Sequence, residues 1–516
     1  MISCLALERP GIWRSLGVAA VLVIAVLPAT PVLWQTALAT NSAQVVGAAF
    51  GSALQNSAIV AFLVALVSLV AGLPLGAVSA LYEFPARRVF LALTTLPLLL
   101  PSFLWAIGWA SAAARLGAPV TAVLSGVPGC VLVLSAQAIP LVLLAAYAAT
   151  MALSGSQIDA ARLAGGEKTV LLAVGRAVTT PALLTAGLGG VLTLSDPGPG
   201  QILGLRTAAS EILTSFAARY DFALAGRQCV ALALLVLTVA APLAFFSAPR
   251  LASEILARQS WGARRVRQRG IACVTVTAFV VLVVIGTMTP LVGLLLPLSN
   301  GNMFSRAWQE LSLTTVNTLL YAMGAGAVAA ALGFVLAVCV GRNTQLRTIV
   351  IGVVLALFSL PPALAALGLV QLAATAPPWA DPFLRSRLTV SVALGLRFFP
   401  IAAILGFRAW GTTSATWALA AAVHGISLPA YLRRVVAPLL RPAATVAGLL
   451  VALLATADVS TLLLLHPPGE RSLPLAIFTV MANAPESLVA SLCLAYVTAT
   501  AGLLIPVWII AGRRRA

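Results

Sequence analysis

The chain has very little of what a water-soluble protein needs. Only 9% of its residues are charged, and it holds one lysine, Lys168, and two histidines, His424 and His466. Soluble domains carry about 25% charged residues. A chain of 516 residues this poor in charge cannot cover itself with polar surface, which excludes a soluble enzyme and a disordered chain alike. Two histidines expected on opposite membrane faces exclude a His-based metal cluster or catalytic triad. The six cysteines, Cys4, Cys130, Cys229, Cys273, Cys339 and Cys493, stand singly without a C-x-x-C pair. They read as small core residues and not as a disulfide framework. No metal site and no cofactor are expected.

The single lysine also excludes a nucleotide-hydrolysing loop. It sits in Gly165-Gly166-Glu167-Lys168-Thr169. A phosphate-cradling loop has glycine immediately before its lysine, and Glu167 would repel phosphate. Any ATP-driven work therefore needs a separate ATPase.

What the chain has in excess is apolar sequence, 61% of all residues. A helix needs about 20 apolar residues to cross a bilayer. Twelve such runs are present. The first six lie near Leu16 to Trp34, Ala58 to Leu81, Val89 to Ala112, Val127 to Ala152, Ala177 to Ser195 and Phe222 to Ser247. The next six lie near Ile271 to Leu296, Thr318 to Val340, Thr348 to Leu372, Leu388 to Trp410, Pro442 to Leu465 and Leu488 to Ala511. The fifth is short and holds Pro181. The first is too long for a signal-peptide core and reads as an uncleaved anchor. The expected fold is an all-α integral membrane protein of twelve transmembrane helices.

The net charge of +18 comes from 31 basic and 13 acidic residues. With both termini placed in the cytoplasm, the inner segments hold 22 basic residues and the outer segments 8. The positive-inside rule favours that orientation. Arg264, Arg265, Arg267, Arg269 and the terminal Arg513, Arg514 and Arg515 contribute most. The basic balance is thus an orientation signal and needs no nucleic-acid partner.

The two halves match at an offset close to 260. Leu100-Pro101 pairs with Leu360-Pro361, Ile139-Pro140 with Phe399-Pro400, Ala160-Ala161 with Ala420-Ala421, and Gly165 with Gly425. Asn56 pairs with Asn317 one residue out of that register. Six spans per half give both copies the same orientation, a parallel repeat. The expected organisation is a first repeat over 1–248, a basic cytoplasmic linker over 249–270 and a second repeat over 271–516.

The loop after the fourth span of each half carries the main functional signal. It reads Asp159-Ala160-Ala161-Arg162-Leu163-Ala164-Gly165 in the first half and Leu419-Ala420-Ala421-Ala422-Val423-His424-Gly425 in the second. An alanine-rich stretch ending in glycine predicts a short helix and a turn. Small side chains leave one face flat enough to seat in a partner's groove. Either loop alone reads as an amphipathic connector; two at equivalent places favour docking.

This pair resembles the cytoplasmic coupling loops of ABC-importer permeases, in which Glu-Ala-Ala is followed by three residues and a glycine. The fused double form is similar to the permeases of iron(III) and thiamine uptake, over about residues 50 to 510. Leu194-Ser195-Asp196-Pro197-Gly198, Ala457-Asp458-Val459-Ser460 and Pro467-Pro468-Gly469-Glu470 resemble the outer segments of the iron(III) type. Two positions depart from the pattern: Asp159 replaces Glu, and Leu419 occupies the acidic position in the second copy. The resemblance implies docking residues Asp159, Ala160, Ala161, Gly165, Leu419, Ala420, Ala421 and Gly425. It implies two cytoplasmic ABC ATPase subunits as partners, a periplasmic or lipid-anchored solute-binding protein delivering substrate near Asp196 and Glu470, and a bacterial inner-membrane location. Thiamine, polyamine and phosphonate remain alternative substrates.

Arg397 is the one charge well inside a run. An unpaired charge there costs several kcal/mol, so such residues mark functional sites. Its repeat mate is Gln137, also three residues before a proline. Both are expected to face the bundle interior, as translocation-path lining or as hydrogen-bond anchors. Asp196 and Asp458 read as water-exposed span ends or as gate residues on the same path. With no acid well inside a run, an ion-coupled secondary transporter is the weaker reading. A membrane-embedded enzyme lacks a cluster of His, Asp or Glu at depth.

Overall fold

The computed structural model describes residues 12–38, 46–256, 265–300, 303–481 and 483–512. Cys4, Arg264, Arg513, Arg514 and Arg515 lie outside the described residues. Among the described residues there is no strand, only an isolated bridge between Tyr82 and Val266. The chain is an all-α multi-pass membrane protein. Among the described residues nine continuous helical stretches are long and apolar enough to cross a membrane, and eleven if each of two bent pairs counts as one span.

The first half opens with α1 (Ile12–Val26), a tight turn at Leu27–Ala29 and α2 (Thr30–Leu38). Then come α3 (Ala48–Leu81), α4 (Arg87–Thr95), α5 (Ser102–Leu116), α6 (Ala118–Leu124), α7 (Val127–Met151) and α8 (Gly155–Thr193). Short α9 (Gly198–Ile202) and α10 (Ala208–Ala217) precede α11 (Phe222–Leu256). The second half begins with α12 (Arg269–Val283), a π-turn at Val284–Met288 and α13 (Thr289–Leu295). It continues through α14 (Phe304–Val340), α15 (Thr344–Ser359), α16 (Pro362–Thr375), α17 (Asp381–Leu384) and α18 (Arg387–Gly411). After α19 (Ala415–Val423) and α20 (Leu428–Tyr431) come α21 (Ala437–Thr456), α22 (Val459–Leu465), α23 (Leu473–Val480) and α24 (Glu486–Gly512).

Several expected boundaries move, each for a local reason. The run Val89 to Ala112 is not one helix: α4 and α5 meet at 105°. The run Thr348 to Leu372 breaks likewise, α15 and α16 meeting at 77°. At both breaks a leucine is extended and a proline follows, Leu100-Pro101 and Leu360-Pro361. Proline excludes the helical conformation from the residue before it and donates no hydrogen bond. The eleventh run also divides, since α21 stops at Thr456 and Asp458 begins α22. The fifth run, expected to be short, belongs instead to the 39-residue α8, kinked at Gly165 and Gly166. α11 runs on to Leu256, so residues 249–256 are helical.

The halves interlock. α3 lies along α7, and α14 along α18. α5 meets α13 where a Cβ on Gly108 would collide with the Pro290 carbonyl. α16 meets the Leu27–Ala29 turn where a Cβ on Gly368 would collide with the Pro28 carbonyl. The opening helices of each half therefore clasp the broken pair of the other. Ala248 and Ala252 of α11 share one core with Ala418 and Ala421 of α19. Val266, shortly before α12, bonds the backbone of Leu81 and Glu83. These contacts gather the ends of α3, α7, α11 and α18 at one face, the linker end.

At the opposite end the same bonds occur twice. Asn56 Nδ2 donates to the Arg206 carbonyl (3.1 Å) and Asn317 Nδ2 to the Arg471 carbonyl (3.3 Å). The next hydroxyls, Ser57 and Thr318, accept from the backbone N–H of Ala208 and Leu473, each at 2.8 Å. These fix the starts of α10 and α23.

Candidate functional site

The broken helices create the site. A helix end leaves carbonyls without helical partners, and at the two breaks a side chain from the neighbouring long helix supplies the donor. Gln137 Nε2 of α7 donates to Leu100 O at 2.7 Å and Pro97 O at 3.1 Å. Arg397 Nη1 of α18 donates to Leu360 O at 3.4 Å. The two residues paired in the sequence thus hold equivalent carbonyls.

Arg397 does more. Its Nε lies 2.7 Å from Asp458 Oδ2, and its guanidinium carbon lies 5.4 Å from the centroid of the Phe398 ring. Asp458 is almost fully buried and caps α22, accepting from the Thr461 N–H (3.0 Å) and hydroxyl (3.1 Å). The expectation of a water-exposed span end is corrected here. The end of α21 stops short of the surface, so the carboxylate is inside and balances the arginine. Asp196 follows the end of α8 in the same way. Its Oδ1 accepts the Gly198 N–H at 2.9 Å.

Gln137, Asp196, Arg397 and Asp458 all line one cavity of about 230 Å³ between the halves. Ser102, Ser195 and Ser460 add hydroxyls, and Phe103, Phe358, Phe398 and Phe478 add rings. Phe103 and Phe478, from different halves, meet edge to face at 5.7 Å. Two carboxylates face one guanidinium, an arrangement suited to a cation or to a neutral polar molecule. Among the described residues no three His, Cys, Asp or Glu side chains cluster to hold a metal ion. Ser102 and the phenylalanines carried no signal in the sequence, where such residues are common in any apolar run.

The two alanine-rich loops form the second site, at the linker end. Ser154 caps the first helix in a reciprocal pair with Gln157, and Ser414 caps the second through the Thr416 N–H. Ile158 and Ala418 are buried beneath. Asp159, Ala160, Leu419 and Ala420 are exposed, Ala161 is half-buried and Ala421 is buried. Among the described residues the most exposed large apolar side chains are Leu163 (91%) and Val423 (85%), 260 positions apart. Neither was singled out in the sequence, where the small residues drew attention.

The turns that end these helices are not alike. Gly425 takes the left-handed conformation (φ +66°), and the following Ile426 N–H reaches the Ala421 carbonyl at 2.9 Å. In the first loop the left-handed residue is Gly166 (φ +66°), one place beyond the expected Gly165, which is extended. Gly165 is small for another reason: a Cβ there would collide with the Thr169 hydroxyl. The first loop is also tied down. Arg162 pairs with Asp159 (3.2 Å) and Glu167 (2.7 Å), and the Tyr82 hydroxyl donates to Glu167 at 2.5 Å. Burial, with the Glu167 carboxylate, raises the Tyr82 phenol above its ordinary pKa, so it remains the donor.

A comparison with protein-family models finds no match, and a comparison with curated proteins finds none either.

Proposed function

We propose that the chain is the membrane-spanning permease subunit of a bacterial ABC importer, with both permease halves fused and transport by alternating access. The observation that carries this reading is the pair of exposed apolar side chains, Leu163 and Val423, on equivalent capped helices at one end of the bundle. Each suits a groove on one of two identical ATPase subunits. The reading is supported by the repeated Asn bonds, by the two leucine-proline breaks 260 residues apart, and by the crossed clasp at Gly108 and Gly368. Counting each bent pair as one span and reading α24 as a further one makes twelve, the number that two six-span repeats need. The loops share their end with the basic linker, which the positive-inside rule assigns to the cytoplasm.

The cavity is the proposed substrate path, alternately open to either side, with a solute-binding protein docking at the end bearing Glu470. Two acids against one arginine favour a cationic cargo, with iron(III) first and thiamine or a polyamine next; phosphonate fits this charge least well. Asp196 and Asp458 also remove the sequence argument against ion coupling. A proton-coupled carrier is therefore the second reading.

One experiment separates the two. The chain is co-expressed with candidate ATPase and binding-protein partners from its own genome, and uptake is measured in inside-out and right-side-out vesicles. The permease reading expects ATP-dependent uptake insensitive to a protonophore, and ATPase capture reduced at least about tenfold by Leu163→Asp with Val423→Asp. Uptake by the chain alone that collapses with the proton gradient would replace this reading with the carrier.

A further inference from the structure

α1 and α12 open the two halves but are received differently. α1 packs closely on α14, with Val18 and Val21 buried in a core that holds Tyr321 and Phe334. α12 leans on α4 instead, with Phe279 stacked on Phe84 and Phe90 at 5.6 and 5.7 Å. It meets α3 less closely than α1 meets α14. Phe279 shares a core with Leu75 of α3 and Leu143 of α7, and beside that contact a groove of about 950 Å³ runs between the three helices. Val67, Val70, Pro74, Ile139, Val281 and Ile285 typify its lining. Among the described residues its only polar side chains are Ser135 and Thr275, and the Thr275 hydroxyl is bonded to the Ile271 carbonyl.

The groove follows α3 from Leu63 to Val78, about 22 Å at the helical rise of 1.5 Å per residue. That exceeds one leaflet of a hydrocarbon core of about 30 Å, so one acyl chain fills it lengthwise. Its linker-end mouth is basic. The Tyr82–Val266 bridge brings Arg265, Arg267 and Arg269 alongside Arg87 and Arg88. Arg87 and Arg265 are both bonded to the Tyr147 hydroxyl, while Arg88, Arg267 and Arg269 are exposed. Glu83 is the one carboxylate in these two segments.

We infer that this groove holds a single anionic phospholipid of the linker-end leaflet. Its phosphate sits at Arg267 and Arg269, and one acyl chain lies between Val70 and Val281. An apolar slot with a cationic mouth selects this ligand over a zwitterionic lipid, whose own ammonium opposes the arginines. The site does not depend on the transport reading above.

The test uses the full chain, exchanged through nanodiscs of equal phosphatidylglycerol and phosphatidylcholine with matched acyl chains. Lipids retained on release into neutral detergent are counted by native mass spectrometry. The wild type should retain one phosphatidylglycerol in at least about threefold preference. Arg267→Gln with Arg269→Gln should keep a lipid and lose the preference; Val281→Trp should fill the slot and lose the lipid. In case Val281→Trp fails to fold, Val70→Trp at the exposed rim supplies a fluorescent reporter. Acyl-brominated phosphatidylglycerol should quench it more strongly than brominated phosphatidylcholine. No retained lipid, equal retention of both, a preference unchanged by the arginine variants, or equal quenching would each overturn the assignment.

Discussion

The first half of the chain ties its broken helix with an amide and the second half ties it with a charge. Gln137 and Arg397 stand at the same place before a proline and serve the carbonyls of Leu100 and Leu360. Only Arg397 needs a counter-ion, and Asp458 provides it. The two alanine-rich helices differ in the opposite sense. The first is held by Asp159, Arg162, Glu167 and Tyr82, whereas Ala415–Val423 contains no charged residue and rests on buried Ala418 and Ala421. The same shape can thus be kept by hydrogen bonds, ion pairs or small-residue packing. The features common to both halves are the break, the cap and the exposed apolar tip.

The largest test of this contrast is at the cavity. Arg397→Gln copies the first half but leaves a buried carboxylate unpaired, and breaking such a pair costs about 3–5 kcal/mol. Thermal unfolding in detergent should drop sharply for Arg397→Gln and recover in Arg397→Gln with Asp458→Asn. Gln137→Ala, which removes only neutral bonds, should lose about 1–2 kcal/mol. Equal losses for Arg397→Gln with and without the Asp458 change would break the comparison.

The turns come next. A β-branched residue at such positive φ costs about 1–3 kcal/mol, so Gly425→Val and Gly166→Val should each weaken ATPase capture. Gly165→Ala should act only through Thr169, and adding Thr169→Ala should restore capture in a pull-down. If Gly165→Ala remains defective beside Thr169→Ala, the one-place shift between the two turns is wrong.

A smaller effect belongs to the ion network of the first loop. Exposed and half-exposed pairs contribute about 0–1 kcal/mol. Arg162→Ala should therefore raise the protease sensitivity of the first loop a few-fold and leave the second loop unchanged, as followed by limited digestion.

The smallest effect is at the opposite end. Arg387 donates to both Glu470 oxygens at 2.8 Å, and this bond holds the carboxyl below the ordinary glutamate value although burial opposes it. A lowered folded-state pKa gives stability that is full above the unfolded value of about 4.3 and lost as pH falls through the folded value. The wild type should lose slightly more unfolding temperature than Glu470→Gln on going from about pH 5 to pH 3. Parallel pH profiles would remove this pair from the account.

Much of the helix inventory was legible because apolar runs of spanning length have few other uses. The breaks were not, since hydropathy runs unchanged through Leu96–Leu100 and Leu357–Leu360, and proline within an apolar run is compatible with a kink as well as a break. Gln137 and Arg397 could be picked out because polar residues are rare in such runs. Their partners could not. Asp458 lies 61 residues beyond Arg397, and only the early end of α21 brings it inside. Leu163 and Val423 escaped notice because one apolar residue among many carries no signal until its exposure is known.

The clasp at Gly108 and Gly368 also sets an order of events during synthesis. α1 and the Pro28 turn leave the ribosome first, yet the glycine they pack on lies in α16, far into the second half. At translation rates of about 5–20 residues per second, that partner arrives tens of seconds later. Until then the opening helix must wait in the bilayer with its matching face unfilled. A ribosome that stops in the linker would release a first half whose opening helices lack their partner, open to any neighbouring helix with a flat, glycine-lined face.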